Sequence, residues 1–491
     1  MTARRPGGGP GPWLVLGLAT LVPALLMYAV FAWASGQSDE NEAAPPVDPT
    51  ITVPPAAPAL TTGMIGFRRV PTLVSRDLNI ESFRIEVTPF LGTLNDRSCA
   101  AMSVDGLTVG AHNENVAVIP ASSQKLLVAA VALEQLGDDF RYTTTVNAAS
   151  APVNGVIEGD LFLVGGGDPL LSSDWYPSSN LERYPVTSPT SLDALADGLV
   201  AAGVTQVSGG VVGDGSRYDD EFFAPGWGVG VAGLEAGPYD ALMANDSRVL
   251  GEELRANDPN VGAAREFLRL LEERGIAIGG PPASGGAPTG SVELAAVESA
   301  PMSAVVAEML GNSDNNTAEL VVKELGRSDA APGTREAGLE VIRQQLADWG
   351  VDTMPMVLSD GSGLSLDNRA TCAALIEVLQ RYDIDSPIGQ GLPIAGQTGT
   401  LSDVFADQPV AGRLRGKTGT LNNPPFNVDP PAVKALAGYL PVDGGGEVEY
   451  VLILNGPTIS DQSEYRSIWN QLAATLDTYP AGPTPAVVGP R

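Results

Sequence analysis

Ile119-Pro-Ala-Ser-Ser-Gln-Lys-Leu-Leu-Val128 is the stretch on which the reading of this chain turns. Its Ser122 and Lys125 stand three residues apart at the head of an apolar run, 122–136, that closes at Gly137. That pattern predicts a helix, and residues i and i+3 of a helix share a face. The chain has only four lysines, Lys125, Lys323, Lys417 and Lys434, so arginine carries most of the positive charge. Lysine differs from arginine in one chemical respect that matters here: its pKa falls when it is buried or set beside another cation, and it then becomes a base. A neutral Lys125 could take the Ser122 proton. Alone the pair is weak, since S-x-x-K falls at roughly one lysine in fifteen by chance.

The remaining composition narrows the setting. Acidic residues number 58 against 28 basic, a formal net charge of −30. Such a field repels phosphate backbones, so nucleic acid is excluded as a partner. Arg4 and Arg5 precede an apolar run from Trp13 to Ala34, long enough to span a bilayer with its near side cytoplasmic. Ala32-Trp33-Ala34 also has the small-residue form of a cleavage site, so an anchor and a removable signal peptide compete. Both readings export the rest. Prolines 45, 46, 49, 54, 55 and 58 then mark an extended tether, and the tail from Tyr479 has a similar composition. The two cysteines, Cys99 and Cys372, suggest a disulfide in an exported chain, although two buried free thiols are as ordinary by sequence. No CxxC, HExxH or EF-hand pattern occurs, and neither a metal nor a cofactor is expected.

Along the chain, 98–104 and 107–111 read as a hairpin turning at Asp105-Gly106. Residues 140–300 are Gly-rich and strand-like with one amphipathic helix near 262–275. Helices return at 301–311, 315–326, 334–349 (N-capped by Thr334) and 370–382. A strand pair, 434–441 with 447–455, and a helix at 463–477 close the fold. The implied class is α/β, one domain interrupted by a β-rich insert. The single histidine, His112, lies in a polar turn after a strand, so a Ser-His pair is not the expected chemistry.

Two more motifs follow in order. Ser313-Asp314-Asn315 opens a helix, and Gly416-Lys417-Thr418-Gly419-Thr420 precedes the last strand pair. S-x-x-K, S-D-N and K-T-G in this order are the set of penicillin-binding proteins and β-lactamases. Ser178-Ser179-Asn180 and Gly396-Gln397-Thr398-Gly399-Thr400 mimic the second and third; the first lacks a following helix and the second lacks the lysine, and both are set aside. Pro120–Lys125, Leu163–Pro169, Ser313–Asn315, Asp360–Ser365, Leu392–Gly396 and Gly416–Leu421 together resemble the class C low-molecular-weight penicillin-binding proteins, the D-alanyl-D-alanine carboxypeptidase/endopeptidase family of peptidase family S13. The likeness runs from about 83 to 478, and the separation of 188 positions from Lys125 to Ser313 leaves room for the inserted domains of that family. Asn422–Val433, with four prolines, lengthens the loop after K-T-G and departs from it.

The resemblance implies a penicillin-binding-protein/β-lactamase-like transpeptidase domain, an antiparallel sheet flanked by helices. It implies cleavage of peptidoglycan stem peptides ending in D-Ala-D-Ala through an acyl-enzyme on Ser122, and β-lactams as covalent inhibitors. Lys125 is then the base, Ser313 the proton relay and Asn315 a holder of the substrate amide and of Lys125. Lys417 lowers the Lys125 pKa and attracts the terminal carboxylate, Thr418 bonds that carboxylate, and the N–H groups of Ser122 and Thr420, beside Gly419, form an oxyanion hole. A β-lactamase and a silent wall-binding protein of this fold are the rivals. The domain reading is 1–12 cytoplasmic, 13–34 anchor or signal peptide, 35–64 linker, 65–147 and 299–478 the two parts of the catalytic domain, 148–298 an insert supplying no catalytic group, and 479–491 a disordered tail. The expected location is the outer face of the cell membrane or the wall.

Overall fold

A computed structural model describes residues 27–28, 70–228, 230–328, 330–422, 431–443 and 446–489. The chain divides into two units, 1–66 and 67–491. Of the first, only Met27 and Tyr28 are described, both helical and exposed. The expected anchor and linker therefore lie outside the described residues, apart from that pair. Among the described residues no helix is long and apolar enough to cross a membrane.

The second unit opens with helix α1 (Val70–Leu91), followed by the hairpin β1 (Cys99–Val104) and β2 (Leu107–His112). Next, a single 3₁₀ turn over 121–124 runs straight into α2 (Lys125–Leu136). That helix is apolar all round and buried from Lys125 to Leu133, as befits a helix at the centre of a core.

The insert begins at β3 (Thr143–Ala148), continues through β4 (Leu161–Val164), α3 (Leu192–Ala201), β5 (Val211–Asp214) and α4 (Pro259–Glu273), and ends with β6 (Val292–Glu298). Antiparallel pairing of β3 with β6 closes its base, from Thr143↔Glu298 to Ala148↔Val292. The boundary expected at 148 therefore moves back to Thr143, because β3 finds its partners in the insert sheet. Val146, Leu161, Leu163, Leu199 and Phe267 belong to a core of the insert's own. The strands β4 and β5 pair in parallel, which requires the intervening crossover through α3.

After the insert come α5 (Met302–Gly311), α6 (Asn315–Leu325), α7 (Arg335–Asp348) and α8 (Cys372–Arg381). Asp314, Thr334 and Thr371 cap the last three through their side chains. The chain then returns to the first sheet as β7 (Arg415–Leu421), β8 (Ala432–Pro441) and β9 (Glu447–Gly456), and ends with α9 (Gln462–Leu476). The sheet order is β7-β8-β9-β1-β2, antiparallel throughout. Helices cover both faces, so β9 is buried along its length and reads as a continuous apolar run. Its alternate residues still divide cleanly. Val448, Tyr450 and Leu452 meet Phe83 of α1 and Trp469 of α9, whereas Val451 and Ile453 face α2. Cys99 and Cys372 form a disulfide joining β1 to the first residue of α8, with Cα atoms 5.9 Å apart.

The tail expected to be disordered from 479 is packed on α1. The Tyr479 ring lies 5.3 Å from that of Phe83, Ser75 donates to the Pro483 carbonyl at 2.6 Å, and Asn79 accepts from Gly482 N–H. Prolines lose little entropy on being held extended, and a polar stripe of α1 supplies donors to their carbonyls. The extra loop after K-T-G falls largely on 423–430, outside the described residues.

Candidate active site

Edge strand β7, the 3₁₀ turn ahead of α2 and the start of α6 converge on one cleft, a cavity of about 490 Å³ whose walls include Ser122, Ser313, Asn315, Thr418 and Thr420. Ser122 follows Ala121, which is held at φ +48°, and Ser313 itself sits at φ +60°. Left-handed backbone at non-glycine residues carries strain, and both instances bracket the same site. Between them β7 passes close to the turn. A Cβ on Gly419 would lie 3.1 Å from the Ala121 Cβ and 3.2 Å from the Pro120 carbonyl oxygen, so glycine permits this approach.

Lys125 is fully buried. Its Nζ lies 2.9 Å from Ser122 Oγ, 2.7 Å from Asn315 Oδ1 and 2.6 Å from the Ser362 carbonyl oxygen. A neutral amine has two N–H donors and one lone pair. The amide and carbonyl oxygens can only accept, so they take both donors and leave the lone pair to the Ser122 hydroxyl. Burial lowers the Lys125 pKa from 10.5 to about 8, while Asp360, Glu319 and Asp314 pull it back upward. Sequence reasoning ascribes that depression to Lys417, but its leading cause is burial. Lys417 is held well below its ordinary pKa by burial first and by Lys125 second. Its Nζ donates to Ser313 Oγ and to the Thr418 carbonyl, each at 2.7 Å.

The insert takes part through positioning. The Glu235 carbonyl accepts from Asn315 Nδ2 at 2.9 Å, which turns Asn315 Oδ1 toward Lys125. Trp227 donates its indole N–H to Asp360 at 2.8 Å. Ser178, set aside above, stays in a surface loop and bonds the Trp175 carbonyl.

Several contributors have no role assigned to them by the sequence reading. Asp360 gathers the N–H groups of Gly363 and Ser365 and the Asn368 amide at 2.6–2.8 Å, and so shapes the loop that presents the Ser362 carbonyl. Glu319, four residues beyond Asn315 on α6, accepts from Gly361 and Ser362 N–H. Its carboxyl is pushed up to about 7 by burial and then by Asp360. Asp314, the α6 cap, is likewise raised to about 7 by burial and by Asp246. Thr400, from the motif that mimics K-T-G, bonds Thr418 at 2.8 Å through the two hydroxyls. His112 ends β2, the opposite edge of the sheet from β7, where its Nε2 meets the Asn95 carbonyl.

A family model described as the D-Ala-D-Ala carboxypeptidase 3 (S13) family matches residues 100–252 and 239–479. The chain is 30% identical over 467 residues to Carboxypeptidase DacB of Mycolicibacterium smegmatis, covering 91% of this chain and 94% of that one. It is 31% identical over 413 residues to the D-alanyl-D-alanine carboxypeptidase of Actinomadura sp., covering 69% and 73%. Among solved structures, penicillin binding protein 4 (dacB) from Haemophilus influenzae superposes with a TM-score of 0.63 at 20% identity, covering 79% of this chain and 99% of that one. At that identity the likeness concerns the fold, an antiparallel sheet with flanking helices of the penicillin-binding-protein type.

Proposed function

The chain belongs to the D-Ala-D-Ala carboxypeptidase (S13) family, and from that premise we propose that it is a serine-type D-alanyl-D-alanine carboxypeptidase working on peptidoglycan stem peptides through Ser122. The observation that carries this reading is the Lys125 amine, whose two acceptors leave its lone pair for the Ser122 hydroxyl 2.9 Å away.

In the first step Lys125 takes the Ser122 proton as Oγ bonds to the penultimate D-Ala carbonyl carbon. The C–N bond then breaks. The departing D-Ala amine receives a proton by way of Ser313, which Lys417 holds in place. Water hydrolyses the resulting ester and frees Ser122. Asn315, fixed between Lys125 and the insert, aligns the substrate amide, and the strand at Thr418–Thr420 lies along the peptide. β-Lactams acylate the same serine. The E-x-x-L-N loop of class A β-lactamases is absent from the sequence, so the penicilloyl ester has no placed base to clear it.

The same reading puts the enzyme outside the cytoplasmic membrane, with the 13–34 segment serving as its anchor or as a removed signal peptide. Its support is the Arg4-Arg5 charge ahead of that apolar run and the buried Cys99–Cys372 disulfide, which persists in oxidising compartments.

The test is labelling with a fluorescent penicillin together with D-alanine release from a stem pentapeptide. Both are expected in the natural chain and neither in Ser122→Ala, with the adduct outlasting removal of excess penicillin. Labelling of Ser122→Ala, or clearance of the adduct within seconds, refutes the assignment.

A further inference from the structure

Of the four lysines, Lys125 and Lys417 serve the reaction from behind the cavity wall, since neither lines the cavity itself. Lys434 does line it, together with Thr418, Thr420, Tyr465 and Trp469. It belongs to none of the three motifs. On β8 it stands directly across from Thr420 of β7, and paired residues project from the same face of a sheet. Its Nζ donates to Thr420 Oγ1 at 2.7 Å. The Thr420 hydroxyl oxygen is thereby the acceptor, and its own hydrogen is left for an acceptor in the cavity.

The cation is held by rings rather than by a carboxylate. Nζ lies 4.2 Å from the centroid of Tyr465 and 5.4 Å from that of Trp469. Among the described residues no carboxylate forms an ion pair with it; Asp403, which lines the same cavity, lies 3.9 Å from Arg183 instead. Arg183 and Arg466 also line the cavity, and both add to the positive field at Lys434. Burial, then Arg466 and Arg183, lower its pKa to about 8 while Asp403 pulls it back upward, which leaves it mostly charged at neutral pH. A charged, half-buried ammonium with no carboxylate in direct contact, its acidic neighbour Asp403 being paired with Arg183, and coupled to a threonine whose hydroxyl proton is free, is a site for an anion.

We propose that Lys434 is a substrate-binding residue that receives the free carboxylate of the C-terminal D-amino acid, directly and by orienting the Thr420 hydroxyl toward it. This rests on the carboxypeptidase reading, in which the leaving residue carries that carboxylate past Thr418 and Thr420. It gives the enzyme a second cation at the strand edge, one that faces the substrate while Lys417 is buried against Ser313.

The experiment compares two thioester substrates of one acyl-D-alanine, a thioglycolate with a free carboxylate and its methyl ester, on the full chain. Their leaving groups are reactive enough to acylate without the carboxylate. Lys434→Met is expected to lower kcat/KM for the acid about tenfold, mainly through KM, with the methyl ester unchanged to within about twofold. Lys434→Arg is expected to restore the preference for the acid. An equal fall on both substrates, as from a merely structural tether to Tyr465, overturns the proposal; so does no fall on either. A natural chain that turns over neither thioester and takes no penicillin overturns the carboxypeptidase reading instead. The two failures are thus separable.

Discussion

Gly363→Ala probes the site from a residue that belongs to none of the three motifs but packs against the Ser122 turn. Gly363 has φ +84°, and a Cβ there would lie 2.0 Å from the Ala121 carbonyl oxygen, 2.5 Å from the Ala121 carbonyl carbon and 3.1 Å from Ser122 N. All three are backbone atoms and cannot swing aside. Restoring ordinary contact requires a displacement of about 1 Å, on top of about 1 kcal/mol for alanine in the left-handed region. The loop is not free to absorb it, because Asp360 holds Gly363 N–H and Ser365 N–H while Glu319 holds Ser362 N–H. The shift therefore falls on the Ser362 carbonyl, 2.6 Å from Lys125, and on the Ser122 turn. A misplacement of about 1 Å in catalytic geometry lowers rates about a hundredfold, or roughly 2.7 kcal/mol of barrier. The assay is the second-order rate of acylation by fluorescent penicillin, with thermal unfolding alongside. Gly106→Ala is the control: Gly106 has φ +77° with nothing within 4 Å of its Cβ position, so it adds similar backbone strain without a clash. It is expected to lose about 1 kcal/mol of stability and to acylate like the natural chain. If Gly363→Ala acylates within about threefold of Gly106→Ala, the close fit of the loop against the Ser122 turn does not set the catalytic geometry and the reasoning fails.

Three further outcomes follow from the same structure. Protonated Lys125 is inert and its pKa lies near 8, so the acylation rate should climb with pH up to about 8 and then level, whereas Lys125→Arg should be as inactive as Lys125→Ala throughout; a flat pH profile in the natural chain contradicts the base assignment. Burial raises Asp240, Asp314 and Glu319 to about 7 from ordinary values of 3.8 or 4.5, so the folded chain keeps protons that the unfolded chain has released. Stability should then fall as pH rises from about 5 to about 7.5, and a Tm at pH 8 above that at pH 5.5 would reverse the sign. Replacing Cys99 and Cys372 by alanine opens a loop of 273 residues and should cost about 5 kcal/mol in the chain-entropy estimate, read as a lower denaturation midpoint; an unchanged midpoint refutes it.

Much of this site was legible before any coordinates. Ser122 and Lys125 are neighbours because the local helix places i and i+3 together, and the apolar run behind them announces a buried helix. The β8–β9 pair follows from two apolar runs joined by a short polar turn, whereas β7 carries the K-T-G motif without a strand pattern of its own, and the S-D-N triplet follows from its place at a helix opening. Each of these is a short-range regularity, written within a few residues of chain. His112 was excluded by its polar surroundings, and the sheet order sets it at the far edge.

What the sequence determined by itself, then, was the chemistry available and the elements that bear it. Tertiary structure alone decided which distant groups complete it. That Ser362 offers a carbonyl to Lys125, that Glu235 of the insert turns the Asn315 amide, that Thr400 of a discarded motif meets Thr418, and that Tyr465 and Trp469 cradle Lys434 are all pairings between segments tens to hundreds of residues apart. A backbone carbonyl carries no residue identity to read, and a polar stripe on α1 gives no sign that a proline-rich tail will lie along it. The Lys125 pKa belongs to the same class. The residue type makes the shift possible, but only complete burial sets it, and burial is a property of everything packed around the side chain.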